Sequence, residues 1–153
     1  MKRVLSFFIL FCFLFNICSL FCSADNKNMN DIEYFEDGSY AITSIIVNHS
    51  LLSASNSITR TKKYEFFDST NQLCWAAFLT ASFTYNGTTS SCTSVSKATT
   101  NYNSSWRCTA SSCFKSGATA TGNFTFKHYV LGIPNKTINK TLTLTCSPNG
   151  TIT

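Results

Sequence analysis

Ionisable side chains are scarce in this chain of 153 residues. It has 12 Lys and Arg, 7 Asp and Glu, and 2 His. So few acids and imidazoles leave little material for acid–base catalysis or for a metal site. The net charge of +5 is scattered along the chain, which argues against a nucleic-acid-binding protein, because such proteins concentrate their bases in a patch or stripe.

Small hydroxyl side chains are abundant instead, with 21 Ser and 21 Thr. Hydrophobic residues make up 44% of the chain and aromatic residues 14%, which is enough to build a core and excludes a disordered protein. The length fits one domain. The composition therefore indicates a folded, hydroxyl-rich, single-domain protein.

The first 24 residues have the features of a secretory signal peptide. Two bases precede a mostly apolar run over residues 4–21, and Cys22-Ser23-Ala24 offers a small-x-small cleavage site. We predict cleavage after Ala24 and an extracellular location. Because the run exceeds the roughly 7–15 residues usual for a signal, an uncleaved membrane anchor is the alternative. No later stretch is apolar over enough residues to span a bilayer.

Residues 25–37 and 38–153 carry opposite charges. The first segment has five acids and one base, shows no strand or helix period, and is predicted to be a flexible acidic lead. The second has nine bases and two acids, a net charge of +7, and is predicted to be the folded domain. Its bases either attract anionic polymers or protect strand edges from pairing with other chains.

Residues 74–85 alternate between apolar and smaller or polar side chains, which predicts a half-buried strand. The apolar row is Trp75, Ala77, Leu79, Ala81, Phe83 and Tyr85. Asn86-Gly87 follows, a strong hairpin signal because both residues tolerate positive φ. It predicts the next strand at 88–97. Two earlier strands are predicted at 40–47 and 61–67, with a turn at 68–72.

Two further strands are predicted near the end of the chain, over residues 118–130 and 138–146, with a turn at Gly132, Pro134 and Asn135. A register that pairs Phe126 with Leu142 directs both apolar rows to one core and sets Gly122 opposite Cys146. The outward row is then Thr137, Asn139, Thr141, Thr143 and Thr145, flanked by Thr119, Thr121 and Thr125. This hydroxyl face either binds a sugar or a surface, or reflects the high strand propensity of Thr.

About seven short strands without a convincing helix predict an all-β fold, a single antiparallel β-sandwich. Cys92, Trp106 and Cys146 follow the Cys–Trp–Cys order of immunoglobulin domains. Leu144 stands where the corner Tyr of those domains is expected. We therefore expect an immunoglobulin-like sandwich in the broad sense only.

Three short segments of the chain form a recognisable pattern by their order and spacing: FTYNG at 83–87, YNSSW at 102–106 and TLTLTCSPNG at 141–150. In these segments the chain resembles a family of small secreted proteins of Gram-positive bacteria, known as a domain of unknown function. The resemblance implies an exported β-rich protein, often with two Cys matching Cys92 and Cys146, and it supplies no catalytic residue. Cys74, Cys108 and Cys113 depart from the commoner pattern.

Five Cys residues remain after signal cleavage, and export would place them where disulfides persist. With the pair implied by the resemblance, we hypothesise a Cys92–Cys146 disulfide across the core and a local Cys108–Cys113 loop. Cys74 is then free or bonded to another chain. A Cys74–Cys92 bridge is the competing arrangement.

Catalytic machinery is not evident. Residues 38–153 contain two acids, Glu65 and Asp68, and the two histidines, His49 and His128, lie far apart in sequence. The sequence has no Cys-x-x-Cys motif of a metal site and no Gly-x-Ser-x-Gly motif of a serine hydrolase. We predict no catalytic, cofactor-binding or metal-binding residue. The expected function is that of a secreted, non-enzymatic sandwich that binds or decorates an extracellular surface, such as a cell wall, a glycan or a host protein. The alternative is a hydrolase or toxin whose site leaves no linear trace.

Overall fold

A computed structural model of the protein describes residues 31–47 and 56–153. The expected signal peptide at 1–24 and the first part of the acidic lead, residues 25–30, lie outside the described residues. Within them the chain forms eight strands: β1 (Asp31–Tyr34), β2 (Tyr40–Val47), β3 (Ser57–Phe67), β4 (Leu73–Tyr85), β5 (Ser90–Asn101), β6 (Trp106–Ser116), β7 (Thr119–Val130) and β8 (Ile133–Thr145). Residues 31–47 and 56–153 contain no helix that is long and apolar enough to cross a membrane.

The strands form two antiparallel sheets, one ordered β1-β2-β3-β4-β5 and the other β6-β7-β8. The predicted all-β sandwich is confirmed, with eight strands in the described part rather than about seven. Within each sheet every neighbour in space is also a neighbour in sequence. The likeness to immunoglobulin domains therefore extends to two packed antiparallel sheets and not to strand order, because those domains have Greek-key connections.

The core between the sheets is built around stacked aromatic rings. Trp75 of β4 stacks on Phe126 of β7, with 3.7 Å between ring centroids, and on Phe66 of β3, at 5.2 Å. The predicted apolar row of β4 is confirmed, since every second residue from Trp75 to Phe83 is buried. Aromatic rings of this size dominate the energetics of a small core.

Gly122 of β7 lets the two sheets approach closely. A Cβ atom at this position would stand 3.0 Å from Leu79 Cδ1 on the opposite sheet and 3.0 Å from the ring of Phe124. The sequence-based register sets Gly122 opposite Cys146. In the structure the space beside Gly122 is filled by Leu79, and the ladder sets Gly122 opposite Leu142.

The predicted parity of the last strand pair is confirmed, but its register is wrong by four positions. Phe126 pairs with Ile138, not with Leu142. A two-residue turn at Leu131 and Gly132 pairs Val130 with Ile133, and a bulge in the ladder between His128 and Tyr129 then shifts the pairing by one residue, which brings Ile138 opposite Phe126. An even shift keeps each side chain on its face, and for this reason the alternating pattern could not reveal it.

Candidate functional site

The outward side of the three-stranded sheet is an array of hydroxyl and amide side chains, which we call the polar face. The even-numbered residues of β7 and β8 include the buried ones, such as Phe126 and Leu142, and the odd-numbered residues point away from the core. The predicted outward row is thereby confirmed. The structure adds Asn123 to this row, so the polar face of the two strands consists of Thr119, Thr121, Asn123, Thr125, Thr137, Asn139, Thr141, Thr143 and Thr145.

Hydrogen bonds between facing side chains order the polar face. The Thr141 hydroxyl donates to Asn123 Oδ1 at 2.9 Å, and the Thr125 hydroxyl donates to Asn139 Oδ1 at 2.9 Å. Thr119 and Thr145 share a bond of 3.2 Å between their hydroxyl oxygens. Cross-strand pairs of this kind stabilise a sheet, and they also fix the positions from which the remaining donors and acceptors meet a ligand.

Strand β6 adds one large apolar group to this face. The ladder places Phe114 beside Thr121, which in turn faces Thr143. The Phe114 side chain is 52% exposed, although its neighbours on the face are small and polar. An exposed aromatic ring among hydroxyls and amides is a common way to hold a sugar, because the ring face attracts the polarised C–H groups of the sugar.

The polar face carries positive charge at one end and no carboxylate. Arg107 of β6 is opposite Lys127 of β7, and the Arg107 guanidinium lies 5.0 Å from the centroid of the Tyr129 ring. The sequence has no acid after Asp68, so strands β6, β7 and β8 contain none. The polar face therefore accepts neutral or anionic groups without electrostatic repulsion.

Residues 31–37, which we call the acidic strap, bind to the edge strand β8. Lys140 Nζ lies 2.6 Å from Glu33 Oε2, and the Tyr64 hydroxyl donates to the same oxygen at 3.0 Å. Lys136 Nζ lies 2.5 Å from Asp37 Oδ2. We expected this segment to be part of a flexible lead. Its described half is instead ordered, because β1 pairs with β2 and its acids meet lysines about 100 residues further along the chain.

The strap carboxylates are held in their charged form. The hydrogen bond from Lys136, with a smaller contribution from Ser39, lowers the pKa of Asp37 to about 2. The hydrogen bond from Lys140 lowers the pKa of Glu33. The strap thereby neutralises two lysines on the inner side of β8, whereas Arg107 and Lys127 on the other side have no such acidic partner within residues 31–47 and 56–153.

The local disulfide that we hypothesised between Cys108 and Cys113 is wrong on geometric grounds. Both residues lie on β6, five positions apart. At a strand rise of roughly 3.3 Å per residue this separation is about 16 Å, and a disulfide requires Cα atoms within about 7 Å. Both side chains pack against the core between the sheets instead.

Cys92 and Cys146 lie near each other at one end of the core. Both are buried, and their thiols, like that of Cys74, are unpaired in this structure. The Cys92 amide donates to the Gly117 carbonyl and the Cys146 amide to that of Ala118. Burial raises the pKa of the Cys146 thiol, and the neighbouring Cys92 adds to the rise. The Cys92–Cys146 disulfide stays a prediction.

Cys74 is buried on the side of β4 opposite the Trp75 row. Its carbonyl accepts hydrogen bonds from the amides of Tyr102 and Asn103, at 2.9 and 3.1 Å. Burial raises the pKa of the Cys74 thiol, which makes it a poor nucleophile. Because the Cys74 side chain is fully buried, a disulfide to another chain would require a local rearrangement of the protein.

Of the residues considered for catalysis, His49 lies outside the described residues and the others are dispersed. His128 Nδ1 is hydrogen-bonded to Asn135 Oδ1 at 2.7 Å. Glu65 pairs with Lys63 at 2.8 Å, and Asp68 Oδ1 accepts three bonds within its own turn. A depression of about 140 Å³ lies elsewhere, lined by residues of 84–91. No group of three or more potential metal ligands occurs among the described residues.

The sequence reasoning missed the acidic strap, Phe114 and the apolar turn of the β7–β8 hairpin. The spacing of Glu33 and Asp37 matches that of Lys136 and Lys140, and this signal could have suggested the strap. For Phe114 the signal was a lone aromatic residue between Cys113 and Lys115 in a segment rich in Ser. No family model, curated protein or solved structure matches the chain.

Proposed function

We propose that this protein is a secreted, non-enzymatic module that binds a glycan of an extracellular surface through the polar face. The observation that carries the proposal is the exposed ring of Phe114 within an acid-free array of hydroxyl and amide groups. The proposed export rests on the signal-like N-terminal sequence. Mass spectrometry of the secreted protein checks it, and a first residue other than Asp25 would contradict the cleavage site.

Each group of the polar face has a role in this proposal. The ring of Phe114 packs against the C–H face of one sugar ring. Asn123, Thr141 and Thr143 exchange hydrogen bonds with sugar hydroxyls, directly or through water. Arg107 and Lys127 lie at the end of the face where a carboxylate or sulfate of an acidic sugar would gain a charge-assisted hydrogen bond. A rigid sheet supports these contacts because its side chains are held in place before binding.

Binding is favoured over the hydrolase alternative by the surroundings of His128. A general base must lie within hydrogen-bond reach of the group it activates. The Nδ1 atom of His128 is engaged by the Asn135 amide, and the imidazole packs against Trp106, with 5.1 Å between ring centroids. These contacts suit a structural histidine at the end of a sheet.

A glycan array tests the proposal. The wild-type protein is expected to bind a subset of glycans, and Phe114→Ala is expected to reduce its affinity about fivefold, since stacking on an exposed ring contributes on the order of 1 kcal/mol. Tyr102→Ala is the matched control, because Tyr102 is similarly exposed but lies outside the polar face. Retention no better than that of a charge-matched protein, or equal losses in the two variants, would contradict the proposal.

A further inference from the structure

The turn between β7 and β8 exposes a cluster of apolar side chains, which we call the apolar tip. Leu131 is 98% exposed, Ile133 69% and Val130 48%, and Pro134 is also exposed. Single exposed apolar residues are ordinary on a protein surface, but a contiguous group at the end of a hairpin marks an interaction site. The tip lies at the opposite end of β6 from Phe114 and is separate from the proposed glycan-contacting ring.

The backbone of the tip is unfavourable for its sequence. Leu131 has a φ of 49° and Gly132 a φ of 82°, as in a type I′ turn with two residues of positive φ. Asn, Asp or Gly normally occupies the first of these positions, because a Cβ is crowded in the left-handed region. Leu131 therefore adds neither turn stability nor core packing to the folded monomer, and its side chain is available for an external contact.

The shape of the tip favours a lipid layer over a protein partner. The tip is convex, so a protein would have to supply a complementary pocket, whereas the interfacial layer of a membrane accommodates a protruding apolar group without one. The aromatic Tyr129 lies directly below Val130, and its ladder partner is Pro134. An apolar end above a Tyr is the arrangement that proteins use at the membrane–water boundary.

The charges next to the apolar tip indicate the charge of the lipid headgroups that it would contact. Lys127 lies two residues before Tyr129, and Arg107 reaches over the Tyr129 ring. No carboxylate belongs to β6, β7 or β8, although Asp37 of the acidic strap reaches Lys136 on the inner side. Bases next to an inserted apolar group add electrostatic attraction to anionic headgroups.

We propose that the apolar tip inserts into the interfacial layer of a membrane that contains anionic phospholipid, with Arg107 and Lys127 contacting its headgroups. The inserted residues are Leu131 and Ile133. Tyr129 lies at the level of the headgroups. The association is peripheral and reversible, since two aliphatic side chains bury far less apolar surface than a membrane-spanning segment does.

Co-sedimentation of the full mature chain with vesicles tests the proposal. Binding to phosphatidylglycerol–phosphatidylcholine vesicles should exceed binding to phosphatidylcholine alone and should weaken as salt is added. Leu131→Asn is the informative variant, because Asn suits the first position of the turn and preserves the fold while removing the apolar group. Its partition coefficient should be about tenfold lower, the expected consequence of losing one buried Leu side chain.

Two further variants separate the parts of the inference. Lys127→Gln should lower binding to anionic vesicles and reduce its salt dependence, and Phe114→Thr, which removes an exposed ring far from the tip, should leave binding unchanged.

Equal sedimentation of Leu131→Asn and wild type would overturn insertion of the tip. Equal binding to neutral and anionic vesicles would overturn the headgroup contacts, and absence of wild-type binding to pure phosphatidylglycerol would overturn the whole proposal. Glycan binding is measured without lipid, so the two proposals can fail separately.

Discussion

The β4–β5 hairpin of the five-stranded sheet and the β7–β8 hairpin of the three-stranded sheet each join a 12-residue and a 13-residue strand. Their turns differ. In the first, Asn86 Oδ1 accepts hydrogen bonds from the Thr88 and Thr89 amides at 3.0 and 2.8 Å, and Gly87 takes the positive φ. In the second, Leu131 takes a positive φ and exposes its side chain. The first turn follows the rules of turn chemistry, and the second departs from them where the surface is most apolar.

The largest expected effect is on the core that joins the two hairpins. Trp75→Ala removes the ring that stacks between Phe126 and Phe66, and we expect a loss of about 3–5 kcal/mol in the free energy of unfolding. Trp75→Phe should cost less, because Trp75 Nε1 is buried without a hydrogen-bond partner among the described residues. Urea denaturation measures both. A larger loss for the Phe variant would contradict this account of the core.

A Cys92–Cys146 disulfide would connect the β4–β5 hairpin to the end of β8. Closing a loop of about 55 residues stabilises by roughly 4 kcal/mol in the chain-entropy model. Peptide mapping of the oxidised, non-reduced protein should find this pair and no Cys108–Cys113 pair. Melting with and without reductant then measures the contribution. A Cys74–Cys92 peptide would contradict the prediction.

Gly122→Ala tests how closely the β7–β8 hairpin approaches the opposite sheet. The new methyl group would stand 3.0 Å from Leu79 Cδ1 and from the Phe124 ring. Overpacking of this kind costs about 1–3 kcal/mol. Thr121→Ala, one residue away on the polar face, should change stability by less than about 0.5 kcal/mol. Thermal melting compares the two variants, and equal shifts in melting temperature would show that the two sheets are not tightly packed at Gly122.

Acid should release the strap from β8 before the two hairpins separate. The folded-state pKa of Asp37 is lowered from 3.8 to about 2, and that of Glu33 is lowered from 4.5. A carboxyl group whose pKa is lowered by folding stabilises the folded state at pH values above its unfolded-state pKa. This stabilisation is lost as the pH falls through the folded-state pKa. Each partly exposed pair contributes about 0.2–1 kcal/mol.

Hydrogen exchange at a series of pH values checks this prediction. Amides of β1 should lose protection as the pH falls from about 5 towards 2, while those of β4 and β7 stay protected. Lys136→Gln should reproduce part of the loss at neutral pH. Protection of β1 that does not change over this range would contradict a role for the ion pairs.

The smallest expected effect distinguishes the two turns directly. Leu131→Asn should stabilise the protein by about 0.5–1 kcal/mol, because it replaces a strained left-handed Leu by a residue that the turn prefers. Asn86→Ala should destabilise it by a similar amount, since it removes the bonds that close the first turn. Thermal melting of both variants gives the comparison. Shifts of the melting temperature in the same direction for both variants would contradict this difference between the two turns.

The alternating pattern predicted β4 and the parity of β7 and β8, because burial of one side of a strand imposes a period of two. It could not predict the register, which depends on the unusual turn at Leu131 and on the bulge between His128 and Tyr129. Strand β6 was missed because, apart from Trp106, its inward side chains are only half-buried or exposed and alternate weakly. Strand β1 was missed because all four of its residues are exposed and its contacts depend on distant lysines.

The polar face was predicted on β7 and β8 except for Asn123, because Thr and Asn alternate with apolar residues along these strands. Phe114 was not included, since β6 had not been recognised as the third strand of that sheet. The disulfide hypothesis for Cys108 and Cys113 failed for the same reason. Two cysteines five residues apart suit a loop but lie too far apart on an extended strand.

The strictly sequential strand order has a consequence for how the chain acquires its structure. Each ladder joins strands that are adjacent in sequence, so only short loops must close before hydrogen bonding begins, and the entropic cost of closure is small. Sandwiches with distant strand pairings fold slowly because that cost precedes the contacts. This chain can add its hairpins one after another from the N-terminus, and the pairing between distant parts of the chain is left to the packing of the two sheets, at contacts such as Trp75 on Phe126.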